Sequence, residues 1–165
     1  MKKTLIGTTL LSFVVGNILG KKSALKDASV AYKKASHREE LFEGLYRQLN
    51  EWFAQEQKGN TLVKYLEKNN YNRIAIYGMG DAANRVYDSV KESRIEVVFE
   101  ADTARSFYSD APLLTLEDEF PQVDLIIATD FFSFEGVKEK LEQKGKCDVK
   151  LLQDIIFGEL DQLSV

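Results

Sequence analysis

From residue 74 onward the apolar positions stop following a helical period and gather into short runs separated by helical stretches. Ile74-Ala75-Ile76-Tyr77 is the first such run, and its length and composition read as a buried strand. Asp81 to Glu92 follows with Ala82, Val86, Tyr87 and Val90 at helical spacing, and Ile95 to Phe99 is a second apolar, β-branched-rich run. The segment Ala111 to Leu116, which contains Pro112, reads as an edge strand or an extended connection. Val123 to Thr129 is the clearest buried strand. Ser133 to Lys144 is a helix with Phe134, Val137 and Leu141 on one face and Gly145 placed to end it, Asp148 to Leu152 is another strand, and Ile155 to Leu160 is a short closing helix. Strands that alternate with helices call for a parallel sheet, because each parallel strand must be followed by a crossover.

The link between the first strand and the first of these helices is Gly78-Met79-Gly80-Asp81-Ala82-Ala83. Gly78 suits a tight turn, Gly80 would let a phosphate approach bare backbone, and Ala83 is a third small position where helix packs closely on strand. Acidic residues, Glu100 and Asp102, follow the second strand. The expected fold is therefore α/β: a small Rossmann-like parallel sheet of four or five strands over residues 71–165, one nucleotide-binding half and not the two halves of a complete dinucleotide domain. That shortness leaves little chain for a substrate pocket of its own.

Upstream the pattern is different. Lys2-Lys3 precede an uncharged run from Thr4 to Gly20, closed by Lys21-Lys22. As a helix this run would span roughly 25 Å, the short end for a bilayer core. Residues 1–22 are expected to be a transmembrane anchor, with an uncleaved or cleaved signal peptide and an interfacial or buried helix as rivals. Lysines 21, 22, 26, 33 and 34 favour a cytoplasmic C-terminal domain. Gly16-x-x-x-Gly20 is a weak helix-dimer motif.

Residues 23–70 read as a helical linker or helical hairpin. Leu41, Phe42, Leu45, Tyr46, Leu49, Trp52 and Phe53 fall along one face, which can dock on the chain's own α/β domain or meet a partner, a homodimer included. Lys58-Gly59-Asn60 breaks the helix, and Asn60 or Thr61 can cap the next one.

Composition narrows the function. The 165 residues are 44% hydrophobic with a net charge of -4, which suits one soluble core and argues against nucleic acid as a partner. Cys147 is the single cysteine, without a mate for a disulfide or fellow ligands for a metal site, and no metal is expected. His37 lies in a charged stretch and Glu117-Asp118-Glu119 reads as a solvated turn. Tyr87-x-x-x-Lys91 matches the spacing of short-chain reductases but lies on the helix directly after the glycine loop, not on a later one, so Tyr87 is read as packing and Lys91 as solvated.

Leu45-Tyr-Arg-Gln-Leu-Asn-Glu-Trp-Phe53, Leu62-Val-Lys-Tyr-Leu-Glu67, Ile74 to Gly80, Phe99-Glu-Ala-Asp102, Val123 to Thr129 and Leu151-Leu-Gln-Asp-Ile-Ile156 together resemble small Rossmann-like, nucleoside-diphosphate-sugar epimerase-like proteins of bacterial capsule and surface-polysaccharide synthesis, related to the closing domain of sugar C-methyltransferases. The resemblance covers about two thirds of the chain and implies a setting in polysaccharide synthesis, with a polysaccharide-synthesis enzyme as a partner. By that pattern Asp102 is the residue after the second strand. Where the family commonly has a glycine at the helix turn, this chain has Ala83 or Asn84.

A bound pyrophosphate would then lie over the backbone N–H groups of Met79 to Ala83. Asp102, or Glu100 if the strand ends earlier, would accept from ribose hydroxyls, which favours NAD or a nucleotide sugar over NADP. Thr129 and Asp130 would line the same crevice or cap the next helix. Asp81 offers the opposite reading, since its charge could cap the amides itself and repel phosphate. Three functions remain open: a membrane-tethered nucleotide or nucleotide-sugar binding accessory protein, a non-binding Rossmann scaffold for protein contacts, and an NAD-dependent sugar-nucleotide epimerase or oxidoreductase.

Overall fold

Alternating apolar residues on β1 (Arg73–Tyr77) send Ile74 and Ile76 to one face and Ala75 and Tyr77 to the other, and all four are buried. Two-sided burial is the signature of a strand inside a parallel sheet with helices on both faces. In the computed structural model, which describes residues 2–78, 80–102, 111–130 and 133–164 with side chains from 28 to 163, that is the arrangement. Two units divide the chain, Met1–Arg47 and Gln48–Val165.

The second unit carries a five-stranded, fully parallel sheet in the order β3-β2-β1-β4-β5. The other strands are β2 (Glu96–Asp102), β3 (Leu113–Thr115), β4 (Leu125–Ala128) and β5 (Asp148–Leu151). Ala75 and Tyr77 lie opposite Phe99 and Ala101 of β2 on one side and Ile126 and Ala128 of β4 on the other. The strand order runs outward in both directions from β1, so the chain changes direction across the sheet between β1 and β4. This is the doubly wound order 3-2-1-4-5-6 without its sixth strand, so the sheet runs past the single half expected and across the switch point between β1 and β4. The expected edge segment is β3, next to β2, with Pro112 just before it.

One layer covers the Ile74 and Ile76 face with α3 (Asp81–Val90), α2 (Leu62–Lys68) and the C-terminal turns, through Val86, Val90, Leu62, Leu66, Leu152 and Ile155. The opposite face is closed by α4 (Phe134–Gly145) with Phe134 and Leu141, and by Phe120, whose ring centroid is 4.8 Å from that of Phe99. Thr61 caps α2, its hydroxyl accepting from the Lys64 amide at 3.2 Å.

Several boundaries depart from expectation. β2 extends three residues past Phe99 because Ala101 and Asp102 pair with Leu114 and Thr115 of β3. Gly145 does not terminate α4 by turning left-handed; Lys146 does, at φ 49°. Gly145 is required for space, since a Cβ there would stand 2.6 Å from Ile126 Cδ1. The closing helix is a π-helical turn over Ile155–Glu159 followed by a 3-10 turn over Asp161–Ser164.

Upstream, α1 is one helix over Lys2–Gln57. The apolar stripe does not bury as a unit. Trp52 is buried, but Phe42, Tyr46, Leu49 and Phe53 are exposed, and the buried positions beside Trp52 are Gln48 and Gln55. The seven apolar residues cover more of the helix circumference than one contact face, and polar Gln48 and Gln55 complete the buried side. Gln55 is satisfied there, donating to Asp161 at 3.3 Å and accepting from Asn60 at 2.8 Å. Among the described residues no helix is long and apolar enough to cross a membrane; the expected anchor lies on the part of α1 outside the described side chains.

Candidate functional site

The carboxyl ends of β1, β2 and β4 lie at one edge of the sheet, and the direction change between β1 and β4 falls there, where the general rule for such sheets puts a ligand crevice. The loop after β1 begins at this position. Gly78 is buried with φ 97°, and a Cβ on it would stand 2.7 Å from Thr129 Oγ1. A side chain is therefore excluded twice over, by conformation and by space. Its amide donates to the Ala101 carbonyl at 2.8 Å, tying the loop to β2.

Gly80 is the opposite case. It is exposed with φ 134°, and nothing lies within 4 Å of where its Cβ would be. It is also the N-cap of α3 and brings no capping side chain. Asn84 begins the helical ladder by donating to the Gly80 carbonyl at 3.0 Å, which leaves the amides of Asp81, Ala82 and Ala83 with no acceptor inside the helix. Ala83 is buried against β1, so the helix start sits close to the sheet as the third small position demands. Asp81 stands exposed in the first turn. Met79, also expected in this set, lies outside the described residues.

Thr129 is brought to the loop, where it meets the backbone entering the turn. Its buried hydroxyl lies 3.2 Å from the Tyr77 carbonyl and 3.3 Å from that of Gly78, and its amide donates to Tyr77 at 2.8 Å. It fixes the peptide that enters the turn. Asp130, one residue on, accepts from Ser133 Oγ at 2.7 Å at the start of α4. Asp102 ends β2 half-buried, whereas Glu100 is buried two residues inside the strand. Asp102 is thus the carboxylate at the crevice. Burial, followed by the charges of Asp102 and Asp130, holds the Tyr77 phenol above its ordinary pKa, which places both carboxylates within electrostatic reach of the end of β1.

The sequence has no Lys or Arg in 78–84, 100–102 or 128–130. An anion in this part of the crevice would be held by backbone amides and the helix dipole and opposed by the carboxylates.

The remaining candidates are structural. Tyr87 packs against the core layer containing α3, and Lys91 pairs with Asp88 at 2.8 Å. They lie six to ten residues along α3 from the loop, roughly 10–15 Å down the helix axis. Asp118 closes a turn by accepting from the Thr115 amide and hydroxyl at 2.7 and 2.9 Å. Cys147 is free, and burial, with help from Asp148 and Asp124, pushes its thiol up to about 11, so it is protonated and a poor nucleophile at neutral pH. No group of three or more metal-ligating side chains occurs among the described residues.

Sequence reasoning missed the latch formed by Thr129 and the spacing role of Gly145. A threonine ending an apolar run carries no signal of which carbonyl its hydroxyl will meet, since the partner is 52 residues away. No family model, curated protein or solved structure matches this chain.

Proposed function

We propose that this chain is a membrane-tethered, Rossmann-like accessory protein that binds a nucleotide or nucleotide sugar in cell-surface polysaccharide synthesis, with the α/β unit on the cytoplasmic side. The observation that carries the ligand reading is the pair of glycines. Gly78 has no room for a side chain, Gly80 leaves open space over an uncapped helix start, and both sit at the direction change of a parallel sheet. The diphosphate would rest on the amides of residues 79–83, and Asp102 would accept from ribose hydroxyls, favouring NAD or a nucleotide sugar over NADP. The polysaccharide setting and a partner enzyme there rest on the family resemblance, and the anchor rests on the lysine-flanked run of residues 4–20.

A second reading, a scaffold that binds no nucleotide, is favoured by the negative charge of Asp81, Asp102 and Asp130 around an opening with few cations. An epimerase or oxidoreductase would need an acid and a base at the crevice, and Tyr87 and Lys91 lie away from it.

Thermal unfolding of the chain against NAD, NADP, UDP-sugars and dTDP-sugars separates the first two. A ligand that binds only the folded state raises the melting temperature, by an amount equivalent to about 2.7 kcal/mol at a hundred times its Kd. The expected result is a rise with NAD or a nucleotide sugar that Gly80→Asp abolishes. No rise at millimolar ligand supports the scaffold instead.

A further inference from the structure

We propose that α1 pairs with α1 of a second copy of this chain as a parallel two-stranded coiled coil running from Ala28 to Phe53, independently of whether the crevice binds a nucleotide. Phe42, Tyr46, Leu49 and Phe53 are spaced four, three and four residues apart on one helix, and they are 62%, 71%, 40% and 64% exposed. That alternation is the core spacing of a heptad repeat. Continued toward the N-terminus, the same register falls on Ala28, Tyr32, Ala35 and Glu39, all of them exposed and Tyr32 75% so. Eight consecutive core positions over nearly four heptads are thus left open to solvent, a length at which the pattern argues for a coiled coil.

The exposed stripe and the buried positions of α1 lie on different sides of the helix. Gln48, Trp52 and Gln55 form the buried side of the helix end, and at about 100° per residue their centre lies roughly 120–140° around the helix from the heptad stripe.

Charge selects the partner and its direction. In a parallel pair each residue flanking the stripe on one side meets the residue five positions later in the other helix. Arg38 of one copy then faces Glu43 of the second, and two-fold symmetry repeats the attraction. The other flanking pairs in the segment, Ala31 with Ser36 and Leu45 with Asn50, bring no charges together. An antiparallel pair centred on the same segment would instead set Arg38 beside Leu45 and Glu43 beside Ser36, and the attraction would be lost. Glu39, the one charged core position, lies beside Arg38 of the second copy in the parallel arrangement. A single polar core residue of this kind costs stability and fixes register.

The test uses the full chain in mild detergent, with mass corrected for bound detergent, and Cys147→Ala as the background for single cysteines. A dimer of twice 18.8 kDa is expected. Under mild oxidation Ala35→Cys and Leu49→Cys should each form a covalent dimer with itself, and Glu40→Cys, on the outward side, should do so at least about tenfold more slowly because its Cα atoms stay beyond disulfide reach. Phe42→Glu with Tyr46→Glu should halve the mass and preserve the circular dichroism of the α/β unit. A monomeric parent at about 100 µM overturns the proposal, since association is driven by concentration. A dimer in which neither Ala35→Cys nor Leu49→Cys links to itself overturns it equally, because the contact then lies elsewhere or runs antiparallel.

Discussion

Gly78 and Gly80 share a positive φ and differ in everything around it. Gly78→Ala must hold a Cβ at φ 97° and also move the Thr129 hydroxyl, which is engaged with two carbonyls. A loss of about 2–3 kcal/mol is expected, against about 1 kcal/mol for Gly80→Ala, where only the backbone cost applies; urea unfolding of the two variants measures the difference. Equal losses would mean that Thr129 yields and is no latch. Cys147 gives a pH signature. Its folded pKa of about 11 lies above the unfolded value, so the unfolded chain loses its proton first. The stability this contributes is complete below the unfolded pKa of about 8.5 and is lost as pH rises toward the folded one. The parent should lose more stability than Cys147→Ala between about pH 9 and 11, read from denaturation midpoints across that range.

At the scale of elements, legibility followed periodicity and failed where the contact was polar or distant. The strands at residues 74 and 125 were visible as dense apolar runs because they are buried on both faces. The end of β2 was not, since Glu100 and Asp102 look like a polar turn and enter the sheet only because β3 pairs beside them. On α1 the apolar residues suggested one buried face, yet two glutamines occupy it with Trp52. Gln55 is retained by Asn60 and Asp161, partners that no local pattern announces. Trp52 is the apolar anchor of that face, 5% exposed in the same core as Leu62 and Ile155. Trp52→Ala should therefore cost about 3–5 kcal/mol and leave a single cooperative transition in differential scanning calorimetry. A cost below about 1 kcal/mol, typical of surface positions, would detach the helix end from the core.

For the molecule as a whole, the parallel sheet was legible because alternating strands and helices admit few topologies, and the glycine loop follows β1 at the carboxyl edge of that sheet. What the sequence could not supply was the electrostatic character of the crevice, which depends on which strand ends become neighbours: Asp102 and Asp130 are 28 positions apart in the chain and act on the same tyrosine.

The contact between Gln55 and Asp161 has a consequence for chain order. It sets the entrance and exit of the sheet-bearing unit side by side, as does the Lys58–Asp161 pair at 3.5 Å. A unit whose ends touch can be re-ordered by joining them and cutting elsewhere. The exposed turn around Lys146, already kinked left-handed between α4 and β5, is a natural place for new termini. The α/β unit could then be carried as an insert within another polypeptide, its two junctions emerging at a single point on its surface.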